Sequence, residues 1–439
     1  MTPMKSFHII TFGCQMNEHD SERMTGILEE QGCTSSSVVE HADMVILNTC
    51  SIREKAEQKF YSELGRLKKI KDERPDLKIA VAGCIAQQEG ANILSRAPYV
   101  DMVFGPSDIS RLPAMIERKR SWSLPIVDVA GDPDYHRKHI PTTRTDRLKA
   151  WVSIMYGCDN YCTYCVVPYL RGRERSRLPL EIVSEVRELA RKGYKEVTLL
   201  GQNVNSYGKG LEGDANFPSL LRMVNDVPDI ERIRFVTSHP RDLSDDLIST
   251  LRDLPKVCES LHLPVQSGSN DILSAMNRRY TREEYLGKIK RLREALPDIT
   301  LTTDIIVGFP GEQERDFEMT MDLLEEVQYD GIFAFKYSKR PGTAALKHDG
   351  HLSDDIKVKR LAQVLDLQGE ITSRNYEKLV NSLQEVLVDG LSKKGGTLSG
   401  RTRGNKAVNF NAPAALVGSL AMVRITAAGM NSLTGQLCE

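Results

Sequence analysis

Gly157-Cys158-Asp159-Asn160-Tyr161-Cys162-Thr163-Tyr164-Cys165 is the stretch that decides how this chain of 439 residues folds. It places three thiols in the spacing Cys-x₃-Cys-x₂-Cys, directly after an apolar strand predicted over Trp151–Met155. Three thiolates bind three irons of a [4Fe–4S] cluster and leave the fourth iron open to another ligand. A structural zinc site is the alternative, but zinc usually takes four protein ligands and no fourth partner lies nearby in the sequence. The spacing therefore favours an iron–sulfur cluster over zinc.

The sequence after this loop predicts a partial (β/α)₆ barrel. Five further apolar runs, each separated from the next by a helical pattern, are predicted as strands: Val197–Leu200, Ile233–Val236, Ser260–Pro264, Leu301–Val307 and Gly331–Tyr337. Six such units in this length suit an incomplete barrel better than a closed one of eight strands. The cysteine loop then lies at the mouth of the barrel, where the loops that follow the strands build the site.

The N-terminal part predicts a parallel α/β sheet with three strands, Phe7–Phe12, Met44–Asn48 and Ile79–Ala82. Cys14, Cys50 and Cys84 each follow the end of one of these strands by two residues. Because the carboxyl ends of parallel strands share one edge of the sheet, the three thiols are expected to converge and to hold a second [4Fe–4S] cluster. Three buried cysteines with no ligand role are the alternative.

The last part of the chain predicts a small five-stranded antiparallel β-barrel of the oligonucleotide-binding kind. Its short strands are Leu383–Val388, Thr397–Arg401, Ala407–Phe410, Leu420–Ile425 and Thr434–Leu437. The fold class is therefore α/β with a separate β-barrel. We predict an N-terminal domain over 4–121, a linker over 122–143, a barrel core over 144–375 and the small β-barrel over 376–439.

The complete set of motifs resembles the radical S-adenosylmethionine superfamily, and within it the MiaB-type methylthiotransferases. The resemblance spans essentially the whole chain and rests on both cysteine sets and on five further motifs: Phe12–Glu18, Val166–Tyr169, Leu200–Asn205, Thr237–Pro240 and Met276–Thr281. It implies two [4Fe–4S] clusters, with S-adenosylmethionine (SAM) bound at Cys158, Cys162 and Cys165 and a methylated sulfur held at Cys14, Cys50 and Cys84. The last domain resembles the TRAM domain, which binds RNA.

The same resemblance implies a substrate and a reaction. The substrate is an anticodon stem-loop that already carries N6-(dimethylallyl)adenosine, also called N6-isopentenyladenosine, at tRNA position 37. The product is its 2-methylthio derivative. Each turnover uses two SAM molecules, and a flavodoxin- or ferredoxin-type protein supplies the electrons. Two alternatives stay open. One is a methylthiotransferase that acts on a ribosomal-protein aspartate, and the other is a non-catalytic iron–sulfur RNA-binding regulator.

Polar residues that follow the barrel strands are candidates for SAM contacts. These are Gln202, Asn203, Ser238, Gln266 and Asp304, although helix caps or loop hydrogen bonds would explain any one of them equally well. No catalytic residue is predicted beyond the cluster ligands.

Basic residues on two segments are candidates for RNA contacts: Arg171, Arg173, Arg175, Arg401, Arg403 and Lys406. Residues 135–177 hold nine Lys and Arg against three Asp and Glu, with tyrosines among them, and such surfaces bind unpaired RNA. Solvated ion pairs with Glu174 and Glu181 are the alternative for the first segment, and a β-barrel of the C-terminal type could equally bind a protein.

The overall composition adds little about partners but limits the location. Lys and Arg total 59 against 60 Asp and Glu, so any basic surface is local. The sequence shows neither a signal-peptide pattern nor an apolar run of spanning length, and nine cysteines are too few for a disulfide scaffold. We therefore expect a cytoplasmic protein with no membrane partner.

Overall fold

The computed structural model describes residues 4–51, 54–132, 134–135, 138–392 and 395–438. Pro133 and Glu439, which belong to the predicted linker and the predicted last domain, lie outside the described residues. The chain divides into two compact units. The first consists of Met1–Asp146, Ser153–Asp159 and Val166–Arg177, and the second of Arg147–Val152, Asn160–Cys165 and Leu178–Glu439.

A six-stranded parallel sheet forms the centre of the first unit, with the strand order β2-β1-β3-β4-β5-β6. The strands are β1 (Ser6–Thr11), β2 (Thr34–Ser35), β3 (Met44–Thr49), β4 (Lys78–Gly83), β5 (Met102–Phe104) and β6 (Ile126–Asp128). The helices are α1 (Gln15–Glu30), α2 (Glu54–Glu73), α3 (Cys84–Glu89), α4 (Asn92–Arg96), α5 (Leu112–Ser121) and α6 (Val167–Leu170). A two-stranded antiparallel ribbon, β8 (Met155–Tyr156) with β9 (Arg175–Ser176), belongs to the same unit.

The central strands of this sheet are buried on both faces, as expected for a parallel sheet covered by helices. Every residue of β3 is buried, and α2 packs Phe60, Leu64 and Leu67 onto one face. The three N-terminal strands predicted from the sequence are confirmed, with ends that differ by one residue.

Part of the segment predicted as a linker, 122–143, belongs to the sheet of the first unit. Strand β6 pairs with β5 inside this segment and completes the sheet. Tyr135 is also buried, accepts a hydrogen bond from Arg23 Nη1 at 3.1 Å, and packs edge-on against Tyr156 with ring centroids 5.3 Å apart. A strand of three residues is too short to show a period, and the surrounding Pro and Asp residues resemble a loop.

The second unit contains the predicted incomplete barrel as two three-stranded sheets, ordered β11-β10-β7 and β12-β13-β14. The strands are β7 (Lys149–Ser153), β10 (Glu196–Leu200), β11 (Arg232–Phe235), β12 (Ser260–His262), β13 (Thr300–Val307) and β14 (Gly331–Lys336). The helices are α7 (Pro179–Arg191), α8 (Phe217–Asn225), α9 (Asp245–Asp253), α10 (Asn270–Ala275), α11 (Arg282–Ala295), α12 (Glu314–Val327) and α13 (Asp354–Glu377). The alternation of strands and helices is the one expected from the sequence.

The C-terminal part of the second unit is a closed five-stranded barrel, ordered β15-β16-β17-β19-β18. Its strands are β15 (Leu383–Leu391), β16 (Leu398–Thr402), β17 (Ala407–Asn411), β18 (Leu420–Ala428) and β19 (Leu433–Leu437). Inward-facing Val386, Val408, Phe410, Val423 and Ile425 fill its interior. The barrel is confirmed, except that β17 and β19 pair in parallel and not antiparallel.

No helix in the described part of the chain is both long enough and apolar enough to cross a membrane.

Candidate functional site

Cys14, Cys50 and Cys84 lie at the carboxyl edge of three adjacent strands in the first unit. Cys50 directly follows β3 and Cys84 directly follows β4, and the last residues of these two strands stand opposite each other in the sheet. Cys14 lies three residues beyond the end of β1, the strand on the other side of β3. The fold therefore brings all three candidate ligands to one edge, as the sequence predicts for parallel strands.

Two glycines allow the chain to turn tightly at this edge. Gly13 has φ +126°, and a Cβ atom placed on it would lie 2.5 Å from Cys50 Cβ and 3.1 Å from Cys50 Sγ. Gly83 has φ +90°, and a Cβ atom there would lie 2.5 Å from the carbonyl oxygen of Thr49. Both the left-handed backbone and the close approach require glycine at these positions.

Buried amide side chains fix the first turn of α1 against β3. Asn17 Nδ2 donates to the Thr49 carbonyl at 2.9 Å, and Asn48 Nδ2 donates to the Asn17 carbonyl at 2.7 Å. The Cys14 thiol contacts Asn17 Oδ1 at 3.4 Å. Sequence reasoning missed Asn17 and Asn48 as parts of the site, because their role depends on the packing of the helix on the strand.

The Cys84 side chain packs on the short helix that follows the second cysteine motif. It contacts Val166 and Leu170 in a small apolar cluster. Burial raises the pKa of the Cys84 thiol, and the nearby positive charge of Arg171 opposes part of that rise. Arg171 also donates from Nη2 to Asp20 Oδ2 at 2.9 Å, and both of these side chains are buried.

The predicted contact of Arg171 with RNA stays a prediction, but the structure does not place this side chain on the surface. It is 8% exposed and pairs with Asp20 of α1. Arg173 and Arg175 are exposed, as predicted. Arg173 makes a two-point ion pair with Asp159, at 2.7 and 3.1 Å.

The chemistry of the donors at the sheet edge suits an iron–sulfur cluster. All nine cysteines are free of disulfides. Within the described ranges, no three His, Cys, Asp or Glu side chains lie close enough to share a single metal ion. A four-iron cluster does not require that arrangement, because each thiolate binds a different iron.

Cys158, the first cysteine of the second motif, lies in the first unit. It is buried, and its backbone N–H donates to the Gly172 carbonyl at 3.2 Å. The preceding Gly157 has φ +74°, and a Cβ atom there would lie 2.1 Å from the Arg173 carbonyl oxygen. Leu170 thus contacts Cys84 of one cysteine set, and Gly172 and Arg173 contact the backbone beside Cys158 of the other.

Cys162 and Cys165 lie in the second unit. The Cys165 N–H donates to the Cys162 carbonyl at 2.9 Å. Arg278 is buried and directs Nη1 at the Cys162 sulfur, 3.2 Å away, while Nη2 donates to the Pro264 carbonyl at 2.6 Å. Sequence reasoning gave Arg278 no role, although a buried arginine beside a thiolate ligand compensates its charge.

Polar atoms with no protein partner gather in the loops after β10 and β11. Seven buried side-chain atoms in these loops make no hydrogen bond in the described part of the chain. They are both amide atoms of Gln202, Oδ1 of Asn203, both amide atoms of Asn205, Oγ of Ser238 and Nε2 of His239. Buried polar atoms normally have partners, so this group is suited to a polar ligand. Three of these residues are predicted SAM contacts, while Asn205 and His239 are additions.

His239 is a neutral donor in this group. Burial, followed by the charge of Arg278, holds its pKa far below the usual range. Its Nδ1 accepts a hydrogen bond from the Arg241 backbone N–H at 3.2 Å, so the ring proton resides on Nε2.

The remaining two SAM candidates lie in the other half of the partial barrel. Gln266 is buried, has φ +80°, and donates its backbone N–H to the Asp304 carbonyl at 2.9 Å. Asp304 Oδ1 lies 3.5 Å from Nε2 of His262. The Asp304 carboxylate therefore has a partner within the protein, whereas the side-chain amide of Gln202 has none in the described part of the chain.

Asp304 shares the inner face of β13 and β14 with two aromatic residues. Asp304 stands opposite Phe333, and Ile306 opposite Phe335, in the parallel register. The neighbouring residue Lys336 lies on the outer face of the same strands, where it pairs with Asp354 of α13. Phe333 is 53% exposed, which is unusual for a phenylalanine on a barrel strand, and its ring meets His262 edge-on at 5.8 Å.

Two of the three C-terminal RNA candidates are engaged within the second unit. Arg403 makes a two-point ion pair with Glu259, at 2.7 and 2.8 Å, and Lys406 is buried against Asp330 at 2.5 Å. These two side chains join the β-barrel to the partial barrel, and their predicted contact with RNA stays a prediction. Arg401 is exposed.

Comparison with known proteins gives three family matches along the chain. Residues 6–105 match the model described as "Uncharacterized protein family UPF0004", residues 152–324 match the radical SAM superfamily, and residues 377–438 match the TRAM domain. Among solved structures, the radical S-adenosylmethionine methyltransferase TsrM from Kitasatospora setae is similar in fold, with a TM-score of 0.57 and 15% identity over 79% of this chain and 74% of that one.

Fold and motifs together define a radical SAM enzyme. The tRNA-2-methylthio-N(6)-dimethylallyladenosine synthase of Thermodesulfovibrio yellowstonii is 52% identical over 99% of both chains. The synthase of the same name from Acetivibrio thermocellus is 49% identical over 99% of this chain and 91% of its own length. This chain belongs to the tRNA-2-methylthio-N(6)-dimethylallyladenosine synthase family.

Proposed function

We propose that this protein acts in the cytoplasm as a tRNA methylthiotransferase. Its substrate is N6-(dimethylallyl)adenosine at position 37, its product is the 2-methylthio derivative, and each turnover uses two SAM molecules. The observation that carries the proposal is the presence of two separate three-thiol sets, one at a sheet edge and one in the Cys-x₃-Cys-x₂-Cys loop. One set suffices to cleave SAM, and a sulfur-transferring enzyme needs a second place to hold sulfur.

Cys158, Cys162 and Cys165 are assigned to the cluster that binds SAM, and Cys14, Cys50 and Cys84 to an auxiliary cluster. When bound, the first cluster supplies the electron that cleaves SAM to a hydrogen-abstracting radical, and the second holds the sulfur that is methylated and transferred. Gly13 and Gly83 keep the auxiliary thiols close, and Asn17 fixes the turn that carries Cys14. Arg278 compensates charge at Cys162.

Gln202, Asn203, Asn205, Ser238 and His239 are assigned to SAM. Their unpartnered amide, hydroxyl and imidazole atoms supply both donors and acceptors. A zwitterionic amino acid with a ribose presents the matching groups. Gln266 and Asp304 remain candidates for the same ligand on the opposite side of the partial barrel.

The inner face around Phe333 is assigned to the modified base. The target C–H bond must come within van der Waals reach of the radical carbon, so the base has to leave its stack. The exposed Phe333 ring offers an apolar contact for the dimethylallyl tail. An anticodon loop makes extrusion of the base inexpensive, because its bases are unpaired.

Arg173, Arg175 and Arg401 are assigned to tRNA phosphates, because these residues are exposed, whereas the side chains of Arg171 and Lys406 are buried. The electrons come from a flavodoxin- or ferredoxin-type protein.

The direct test is mass spectrometry of tRNA from a strain that lacks the gene. We expect the 2-methylthio derivative to disappear while its dimethylallyl precursor accumulates, and to return when the gene is restored. A matched strain that carries Cys158→Ala should keep the precursor. An unchanged tRNA, with loss of a methylthio group from a ribosomal protein instead, would favour the aspartate-modifying alternative. An intact protein that never cleaves SAM under reducing conditions would favour the RNA-binding regulator.

A further inference from the structure

The guanidinium of Arg278 is buried in the second unit and makes four hydrogen bonds. Nη1 donates to the Cys162 sulfur at 3.2 Å and to the Tyr164 hydroxyl at 3.4 Å. Nε donates to the Tyr280 hydroxyl at 2.9 Å, and Nη2 donates to the Pro264 carbonyl at 2.6 Å. These contacts hold the planar group in one orientation beside the thiol.

No carboxylate pairs with Arg278 among the residues that the structure describes. Arg234 and Arg360, which are also buried in this unit, each pair with a glutamate. A buried charge is expensive unless an opposite charge is close. The carbonyl is neutral, and the tyrosine hydroxyls are neutral at pH 7 because a tyrosine pKa is about 10. Among these partners, the Cys162 sulfur is therefore the one that becomes an anion when it binds iron.

The turn that carries this arginine is fastened to the loop that carries Cys162. Asn277 Nδ2 donates to the Tyr161 carbonyl at 2.9 Å, and the Thr163 N–H donates to the Met276 carbonyl at 3.1 Å. The residues on both sides of the cysteine are thus hydrogen-bonded to the two residues that precede the arginine. Backbone contacts therefore help to set the distance between the guanidinium and the sulfur.

We propose that Arg278 is a positioning residue of the cluster assigned to SAM: its charge and its hydrogen bond to the Cys162 sulfur raise the reduction potential of that cluster. A reduced cluster carries one more negative charge than an oxidised one, so a fixed positive charge and a hydrogen bond at a ligand sulfur stabilise the reduced state more. Cleavage of SAM needs that electron, and Arg278 makes the electron easier to deliver. The inference rests on the proposed function, in which Cys162 is a ligand of this cluster.

The test uses the full chain with Cys14, Cys50 and Cys84 changed to Ala, so that the reconstituted protein holds the SAM-binding cluster alone. Iron and sulfide content and the midpoint potential from an EPR-monitored titration are compared in this parent and in variants of it. Arg278→Gln keeps a hydrogen-bond donor but removes the charge, and it should lower the potential. Arg278→Lys keeps the charge but not the planar fork of donors, and its potential should lie between those of the parent and Arg278→Gln. Arg66→Gln, the same change at an exposed arginine of α2, should leave the potential unchanged.

A potential that falls in Arg278→Gln and recovers in part in Arg278→Lys is the signature of a charge effect, because a merely structural role would not rank the variants by charge. Loss of the cluster from Arg278→Gln but not from Arg278→Lys would also support the inference. Three results would overturn it: an unchanged potential in Arg278→Gln with full iron content, equally lowered potentials in both variants, or loss of the cluster from both. A parent that holds no iron would instead refute the cluster at Cys162, and with it the proposed function.

Discussion

Glycine at position 13 decides how closely Cys14 and Cys50 approach. Its backbone lies in the left-handed region, and the space that a side chain would need is taken by Cys50. A strained backbone of this kind costs roughly 1–3 kcal/mol for a residue other than glycine, and the clash adds to that cost. The strain would fall on the turn that carries Cys14 and lies against Cys50.

Gly13→Ala should therefore reduce the reconstituted iron content by about half, as expected if each cysteine set holds one [4Fe–4S] cluster. SAM cleavage should persist, because Cys158, Cys162 and Cys165 are untouched. Gly32→Ala is the matched control, since Gly32 also has a positive φ of +79° but has no atom within 4 Å of a built Cβ. Full iron content in Gly13→Ala would show that the turn tolerates the methyl group.

Arg173 and Arg175 are the residues at which binding of tRNA should be most sensitive to charge. Replacing both with Gln should weaken tRNA binding and flatten its salt dependence, by about 0.7–0.9 in log–log slope for each phosphate that the variant no longer neutralises. Fluorescence anisotropy at several salt concentrations measures both quantities, with Arg66→Gln as the control. An affinity and slope equal to the parent's would favour solvated ion pairing, such as that of Arg173 with Asp159.

In the proposed arrangement, the inner face of β13 and β14 meets the modified base. Burying a CH₂ group contributes about 0.8 kcal/mol, so a substrate without the five-carbon tail is expected to bind less tightly by several kcal/mol. Phe333 provides part of the apolar surface for that tail in the proposed arrangement. Unmodified adenosine should therefore be a poor substrate.

Phe333→Ala should raise KM for the dimethylallyl stem-loop several-fold and reduce its preference over the unmodified stem-loop. Uncoupled cleavage of SAM should change little. Leu365→Ala on α13 removes an exposed apolar side chain of similar size and serves as the control. If Phe333→Ala raises KM equally for both stem-loops, the Phe333 side chain does not contact the dimethylallyl tail.

The sequence predicts most elements because their signals are local. The ends of β1, β3 and β4 follow from apolar runs, and parallel pairing then places Cys14, Cys50 and Cys84 at one edge. Strand β6 is not predicted, because its three residues are too few to show an alternation of apolar and polar side chains. Arg171 and Arg173 look alike in sequence, and only the packing of α1 and α6 makes one buried and the other exposed.

At the scale of the whole molecule, the protein carries two cysteine sets whose ligands do not overlap. Changing Cys14, Cys50 and Cys84 together to Ala should abolish methylthiolation but leave reductive cleavage of SAM to 5′-deoxyadenosine. Changing Cys158, Cys162 and Cys165 should stop that cleavage, and each triple variant should retain about half of the iron. Liquid chromatography of the nucleoside and iron analysis provide the readouts. Loss of cleavage in a folded variant of the first set would contradict the assignment.

The substrate preference of the reconstituted protein tests the central claim most directly. Three substrates are offered side by side under reducing conditions with SAM: an anticodon stem-loop with N6-(dimethylallyl)adenosine, the same stem-loop with unmodified adenosine, and a ribosomal-protein peptide with an exposed aspartate. Mass spectrometry should show a methylthio group on the dimethylallyl RNA, little on the unmodified RNA and none on the peptide. Methylthiolation of the peptide in preference to the dimethylallyl RNA would contradict the account.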